Sequence, residues 1–160
     1  MSEEIKKGLL GIVVDETTIS HVVPELSTLT YRGYTVQELC DKCDFEEVAY
    51  LVLNGELPNK NQLKKFIKQE RSERKLSKQI LNDIRKMPKN AHPMDVIRTC
   101  VSLMALEDKD TKENSPKANM RKAMRIFAKT PTAVAAYFRT RKGKSCLLYT
   151  SDADDDTLCV

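Results

Sequence analysis

Apolar residues recur at helical spacing along most of this chain, and this periodicity limits its fold more than any other feature. Between residues 35 and 141 they fall three or four positions apart in successive runs, with lysines and other polar residues between them. Such spacing places the apolar side chains along one face of an α-helix. The sequence therefore predicts an all-α fold of amphipathic helices, each of which needs a partner to cover its apolar face.

Capping signals mark where several of these helices begin and end. Thr35 with Glu38 and Asp44 with Glu47 form two capping boxes, in which the side chains satisfy free backbone N–H groups at a helix start. Gly55 supplies the left-handed residue that closes the second helix. Later apolar stripes comprise Leu63, Phe66 and Ile67, then Leu76, Ile80, Leu81, Ile84 and Met87, then Val96, Ile97, Cys100, Val101 and Met104.

The last predicted helix runs from Lys117 to about Arg141 and contains Pro131. Proline removes a backbone donor and clashes with the preceding turn, so we expect a kink or a split there. The stretch from Glu107 to Pro116 is polar and is predicted to be a loop.

The first 34 residues differ from the rest in composition. Gly8 to Thr30 is rich in Val, Ile and Thr and is punctuated by Gly and Pro, which predicts short strands in a hairpin-like arrangement. We therefore divide the chain into an extended β segment, residues 1–34, a helical part, residues 35–144, and a tail, residues 145–160.

Composition indicates the cellular location of the protein and the state of its cysteines. No apolar run approaches the ~18 residues needed to span a bilayer, and the first seven residues lack the apolar segment of a secretory signal, so we expect a cytoplasmic protein. The odd count of five cysteines indicates free thiols. Cys40 and Cys43 have CxxC spacing but no second pair, so we interpret them as packing thiols and expect no metal.

Positive charge is concentrated before residue 145. The chain has 27 Lys and Arg against 23 Asp and Glu, and four of those carboxylates lie in residues 152–156; without these four the net charge is +8. Such a surface could attract nucleic acid or an anionic cofactor. Because no aromatic residues are interleaved with the charges, we interpret them as solvated helix faces and expect no nucleic-acid partner. A basic nucleic-acid binder is the alternative.

Five phrases carry a family resemblance. Thr30 to Tyr34 (TYRGY), Phe45 to Pro58 (FEEVAYLVLNGELP) and His92 to Asp95 (HPMD) follow one another in an order that resembles the citrate synthase family. Lys7 to Thr17 and Lys129 to Tyr137 are similar to its 2-methylcitrate synthase branch. The resemblance covers about residues 6–144 and implies the amino-terminal part of the large helical domain of that family.

The resemblance also implies a reaction. Members condense an acyl-CoA, here propionyl-CoA or acetyl-CoA, with oxaloacetate, act as homodimers and need no cofactor beyond these substrates. Their chemistry uses a carboxylate base and two histidines. The family phrases that supply them, similar to Asn-His-Glu, Gly-Pro-x-His-Gly-Gly and Asp-Pro-Arg, do not occur in this chain, and neither His21 nor His92 matches them. We expect no catalytic residue here and predict that the chain is inactive.

Two cations are candidate substrate-binding residues. Arg32 could hold a carboxylate or phosphate through two parallel hydrogen bonds, although an arginine in a turn commonly pairs with a nearby acid or carbonyl instead. Lys60 occupies a first helical turn, where a cation is unfavourable against the helix dipole, which hints at an anion. Methylcitrate-type members often carry a basic residue there. A solvated lysine is the alternative.

The last sixteen residues differ from everything before them. They contain no Lys or Arg, and Leu147 to Ala153 (LLYTSDA) resembles translated sequencing-adapter sequence. We interpret residues 145–160 as a disordered tail outside the family, with a genuine acidic tail as the alternative. For the chain as a whole, the alternative function is a stand-alone helical module that binds other proteins.

Overall fold

The computed structural model describes Gly8 and residues 11–144. This part of the chain folds into six α-helices and a small three-stranded sheet, which confirms the predicted helical class with a short β segment. None of its helices combines the length and apolar character needed to cross a membrane. The elements are β1 (Ser20–Val23), β2 (Thr28–Tyr31), β3 (Tyr34–Thr35), α1 (Val36–Lys42), α2 (Phe45–Asn54), α3 (Lys60–Glu73), α4 (Lys78–Lys86), α5 (Pro93–Glu107) and α6 (Pro116–Arg141).

The described residues fall into two compact units, with the division between Leu63 and Lys64. In the first unit the strands form an antiparallel sheet in the order β1-β2-β3. The turn between β2 and β3 consists of Arg32 and Gly33, whose φ angles are 50° and 91°. Two positive φ angles match the right-handed twist of a tight hairpin, and glycine adopts this conformation without strain.

Two short helices complete the first unit, and both start at the predicted capping boxes. The amide of Glu38 donates to Thr35 Oγ1 at 3.3 Å, and the amide of Thr35 donates to Glu38 Oε2 at 3.2 Å. At α2 the amide of Asp44 donates to Glu47 Oε2 at 2.8 Å. Gly55, with a φ of 92°, ends α2 as predicted. These bonds satisfy backbone groups that a short helix leaves without partners.

The second unit has a core made by α4, α5 and α6. It buries six of the ten residues in the two predicted stripes, and the other four, Leu81, Met87, Ile97 and Val101, are half-buried. Tyr137 of α6 is buried, and its hydroxyl donates to the Pro88 carbonyl at 2.8 Å, so the phenol contributes apolar area without losing its hydrogen bond. The core cluster comprises Leu76, Ile80, Ile84, Val96, Cys100, Met104, Ala133, Ala136 and Tyr137.

Helix α6 runs through Pro131 without a break, so of the predicted kink or split the split is wrong, and the kink stays a prediction. Small residues on both sides of the proline are buried, Ala128 before it and Ala133 and Ala136 after it. Packing on both sides of the proline can offset the loss of one backbone hydrogen bond, because most helical stability in proteins comes from tertiary contacts. Thr130 also donates its hydroxyl to the Ile126 carbonyl at 2.7 Å.

Candidate functional site

Arg32, the first candidate, is engaged in contacts that hold its own turn. Its guanidinium donates to the Thr18 hydroxyl at 2.7 Å and to the Val52 carbonyl at 3.2 Å, and its amide donates to the Ile19 carbonyl at 2.8 Å. Its Nε is buried and finds no hydrogen-bond partner among the described residues. Arg32 therefore links the hairpin turn to α2 and to the segment that precedes β1.

Lys60, the second candidate, is the first residue of α3 and is exposed. Asn59 fixes this helix start, because its side-chain oxygen accepts from the amides of Asn61 and Gln62, both at 3.0 Å. Within the described part of the chain, no hydrogen bond or ion pair holds the Lys60 ammonium. The two candidates thus differ: Arg32 is engaged by protein groups, whereas Lys60 is available to an external anion.

The two histidines do not form a catalytic arrangement. His21 lies exposed on β1. His92 caps α5, because its Nδ1 accepts from the Met94 amide at 3.3 Å. Asp95 instead pairs with Arg98 at 3.1 Å on the exposed surface. No group of His, Cys, Asp and Glu side chains suited to a metal ion occurs in residues 11–144.

A cluster of two aspartates and two arginines, which the sequence analysis missed, fastens the loop before α6. Arg125 donates to both carboxylate oxygens of Asp108 at 2.7 and 2.8 Å and to Asp110 at 2.6 Å. Arg121 donates twice to Asp110, at 3.0 and 2.9 Å. Such paired, charge-assisted bonds fix orientation as well as adding stability. The available signal was two arginines four residues apart, on one helix face, following an Asp-x-Asp sequence.

The cluster changes the pKa of both carboxyls in the same direction. Hydrogen bonds from Arg121, then from Arg125, hold the pKa of Asp110 well below its ordinary value. At Asp108 burial acts to raise the pKa, but hydrogen bonds from Arg125 and from the Asp110 amide outweigh it, so the pKa is lowered. Both groups are therefore ionised at neutral pH and act as structural anions.

Replacing Asp110 by Asn should lower the melting temperature at pH 7, because the variant loses a charge paired with two arginines. The pKa of Asp110 is lower in the folded protein than its ordinary value of 3.8. The stability that this difference gives is complete above pH 3.8 and is lost as the pH falls through the folded-state pKa. The difference between variant and parent should therefore shrink below pH 3.8. Thermal melts from pH 3 to 7 test this, with the exposed Asp95→Asn as control; a difference that stays constant with pH would contradict it.

The three cysteines within residues 11–144 show no sign of a reactive centre. Cys40 is exposed and Cys43 is half-buried, and burial, followed by Glu47 and Asp44, raises the pKa of the Cys43 thiol. Burial also raises the pKa of Cys100. A thiol with a raised pKa is a poor nucleophile near neutral pH, which supports the interpretation of Cys43 as a packing thiol. The exposed position of Cys40 does not fit that interpretation.

Comparison with known proteins shows where this scaffold belongs. The family model described as "Citrate synthase, C-terminal domain" matches residues 8–158, nearly the whole chain. The chain belongs to the citrate synthase family. This confirms the resemblance drawn from the sequence. The match ends inside the segment that we assigned to a tail outside the family; that segment lies outside the described residues, and its assignment stays a prediction.

Citrate synthase relatives include members of the predicted branch. The chain is 49% identical over 140 residues to a 2-methylcitrate synthase of Mycobacterium tuberculosis, an alignment that covers 88% of this chain and 35% of the relative. It is 48% identical over 139 residues to a citrate synthase of Mycolicibacterium smegmatis, covering 87% and 37% respectively. The chain thus spans about a third of the length of these relatives. Its location at their amino-terminal end stays a prediction.

Solved structures of citrate synthases have the same arrangement of elements. The crystal structure of the Thermotoga maritima enzyme matches with a TM-score of 0.77 at 33% identity, covering 89% of this chain and 36% of that one. The Thermoplasma acidophilum enzyme, described as a ternary complex with carboxymethyl coenzyme A and oxaloacetate, matches with a TM-score of 0.85 over 95% of this chain and 40% of that one. At 23% identity, the second match supports the fold alone.

Proposed function

We propose that this chain is part of a 2-methylcitrate synthase or citrate synthase, an enzyme that condenses propionyl-CoA or acetyl-CoA with oxaloacetate. The observation that carries the proposal is the 49% identity to a 2-methylcitrate synthase across 88% of this chain. A shared fold alone would not support a reaction, because one fold can host many functions. Homodimer formation and a cytoplasmic location belong to the same proposal.

Within such an enzyme we assign this chain the role of scaffold. Several of its titratable side chains cap helices or pair with one another, as His92 and the Asp108–Arg125 pair do. Helix α6 carries exposed apolar side chains that the remainder of the enzyme or a second subunit would cover. The same exposed residues fit the alternative of a stand-alone interaction module. They are Met120, Ile126, Val134 and Phe138.

A hybrid enzyme tests this function. Residues 11–144 of this chain would replace the aligned residues of the M. tuberculosis 2-methylcitrate synthase, and CoA release from propionyl-CoA plus oxaloacetate would be followed with a thiol reagent. We expect a rate within about a hundredfold of the parent, because small displacements of a scaffold cost about that much. The hybrid with Ile84→Asp, which buries a charge in the core, should be inactive.

A folded hybrid dimer that releases no CoA thiol would contradict the proposed function and favour the stand-alone module. Circular dichroism and size-exclusion chromatography identify such a dimer. They separate it from a hybrid that failed to fold, which the Ile84→Asp variant represents. Acetyl-CoA assayed in parallel gives the acyl preference of the hybrid.

We also propose that Lys60 contacts an anionic part of a substrate. It is exposed in the first turn of α3, and no described group pairs with it. In the hybrid, Lys60→Ala should raise the KM of one substrate about tenfold with kcat unchanged, as expected when binding is lost equally in ground and transition states. Lys64→Ala serves as control. Unchanged KM values in Lys60→Ala would remove Lys60 as a candidate. Arg32 contacts protein groups, so its substitution should lower the stability of the fold before it affects substrate binding.

A further inference from the structure

The positive charge of the protein is concentrated in one stretch of its second unit. Residues 64–89 contain ten Lys and Arg but three Asp and Glu, a net charge of +7, whereas the whole chain carries +4. The remaining residues together are therefore net negative. Averaged over the chain, the charge predicts solvated helix faces, but its concentration calls for a more specific explanation.

On α3 the acids and the exposed cations lie on different sides. Glu70 is buried, and Arg74 Nε donates to both of its carboxylate oxygens, at 2.8 and 2.9 Å. By helical spacing the other acid, Glu73, lies opposite the exposed cations and is half-buried. Beyond the first turn, where Lys60 lies, three exposed cations share the solvent face at positions i, i+4 and i+7, and a fourth follows the end of the helix. They are Lys64, Lys68, Arg71 and Lys75.

This arrangement opposes helix stability, which indicates that it suits an external anion. Like charges four residues apart repel each other, and a glutamate among them would stabilise the helix instead. At 1.5 Å per residue, Lys64 and Lys68 are separated by about 6 Å along the axis. Duplex nucleic acid offers a dense row of negative charge, about one per 1.7 Å of its axis, against which such a row of cations can lie.

Other polyanions fit this face less well. An amphipathic helix that lies in a membrane interface buries exposed apolar side chains beside its cations. None of the exposed large hydrophobic residues of the described chain lies between Phe45 and Met94. Binding of single strands uses exposed aromatic rings on which bases stack. The aromatic residue of α3, Phe66, is buried and faces Phe127 at a ring distance of 6.3 Å.

We propose that this face of α3, formed by Lys64, Lys68, Arg71 and Lys75, binds the phosphate backbone of duplex nucleic acid without sequence preference. Its cations contact the phosphates, whose spacing does not depend on sequence, and none of these four side chains is placed to contact base edges. The binding goes beyond the condensing function and does not depend on it.

Fluorescence anisotropy with the full chain and a labelled 24-base-pair DNA of arbitrary sequence tests the proposal. With about four phosphate contacts, log K should fall with log salt at a slope of about −3.5, so affinity should drop about a hundredfold between 50 and 200 mM KCl. Lys64→Glu with Lys68→Glu should weaken binding at least about tenfold at 50 mM KCl and reduce the slope by about 2. A second DNA of unrelated sequence should bind equally.

A matched control distinguishes the effect of this face on DNA binding from the effect of net charge. Lys109→Glu with Lys112→Glu makes the same charge change at exposed positions between α5 and α6 and should leave the slope unchanged. Circular dichroism should show that both double variants are folded, and the Lys64/Lys68 variant should melt close to the parent because it replaces one like-charge pair by another. Equal weakening by both variants, no binding at 50 mM KCl, or binding to anionic lipid vesicles but not to DNA would each overturn the proposal.

Discussion

Replacing Ile84 by alanine is expected to lower the free energy of unfolding by about 3 kcal/mol, because deletion of a fully buried aliphatic group loses its transfer free energy and leaves a cavity. Ile84 is 0% exposed and lies in the core cluster formed by α4, α5 and α6. Its neighbours Ile80 and Cys100 are 1% exposed, so the site is closely packed on more than one side. Urea denaturation followed by helical circular dichroism measures the effect.

Ile126→Ala is the matched control, since it makes the same deletion in α6 at a position that is 44% exposed. We expect a change within about 0.5 kcal/mol there, as for surface substitutions in general. Similar losses at Ile84 and Ile126 would mean that burial in this core does not determine stability. A loss confined to Ile84 would confirm the three-helix core.

Signals confined to neighbouring residues were sufficient to predict much of the fold. Both capping boxes, at Thr35 and Asp44, start helices as predicted, and Gly55 ends α2. These devices work through bonds within three or four residues, so they can be recognised in a sequence without knowledge of the tertiary structure. The apolar stripe of α5 was also predictable, since Val96, Cys100 and Met104 are all buried.

Features that depend on contacts across longer separations were not predictable. Arg125 pairs with Asp108 and Asp110 across 17 and 15 residues. The Asp-x-Asp sequence and the two arginines are visible in the sequence, but they do not by themselves show that this polar loop folds back onto α6. The sequence could not decide between a kink and a split at Pro131 for a related reason. Local propensity favours a break at proline, but packing of the residues on both sides overrides it.

The candidate site was predictable only in part. The sequence offered pairing with a carbonyl as the alternative for Arg32, and Arg32 does pair with the carbonyl of Val52 in α2. It could not show that Arg32 adopts a positive φ in the hairpin turn, because this depends on how β2 pairs with β3. For Lys60 the structure adds exposure but no partner, so substrate binding by Lys60 stays a prediction.

The isolated chain is expected to release no CoA thiol above a buffer blank from either propionyl-CoA or acetyl-CoA with oxaloacetate. Its two histidines are an exposed strand residue, His21, and a helix cap, His92. Removing the base and the hydrogen-bond donors of such a reaction costs several orders of magnitude in rate, about 10⁴-fold or more when they act together.

The measurement that tests the division between scaffold and chemistry most directly is this thiol assay, run on the isolated chain beside the hybrid enzyme at equal concentration. We predict turnover by the hybrid and none by the isolated chain, whose circular dichroism should show it to be helical. Turnover by the isolated chain would contradict the assignment of this chain as a scaffold without catalytic residues.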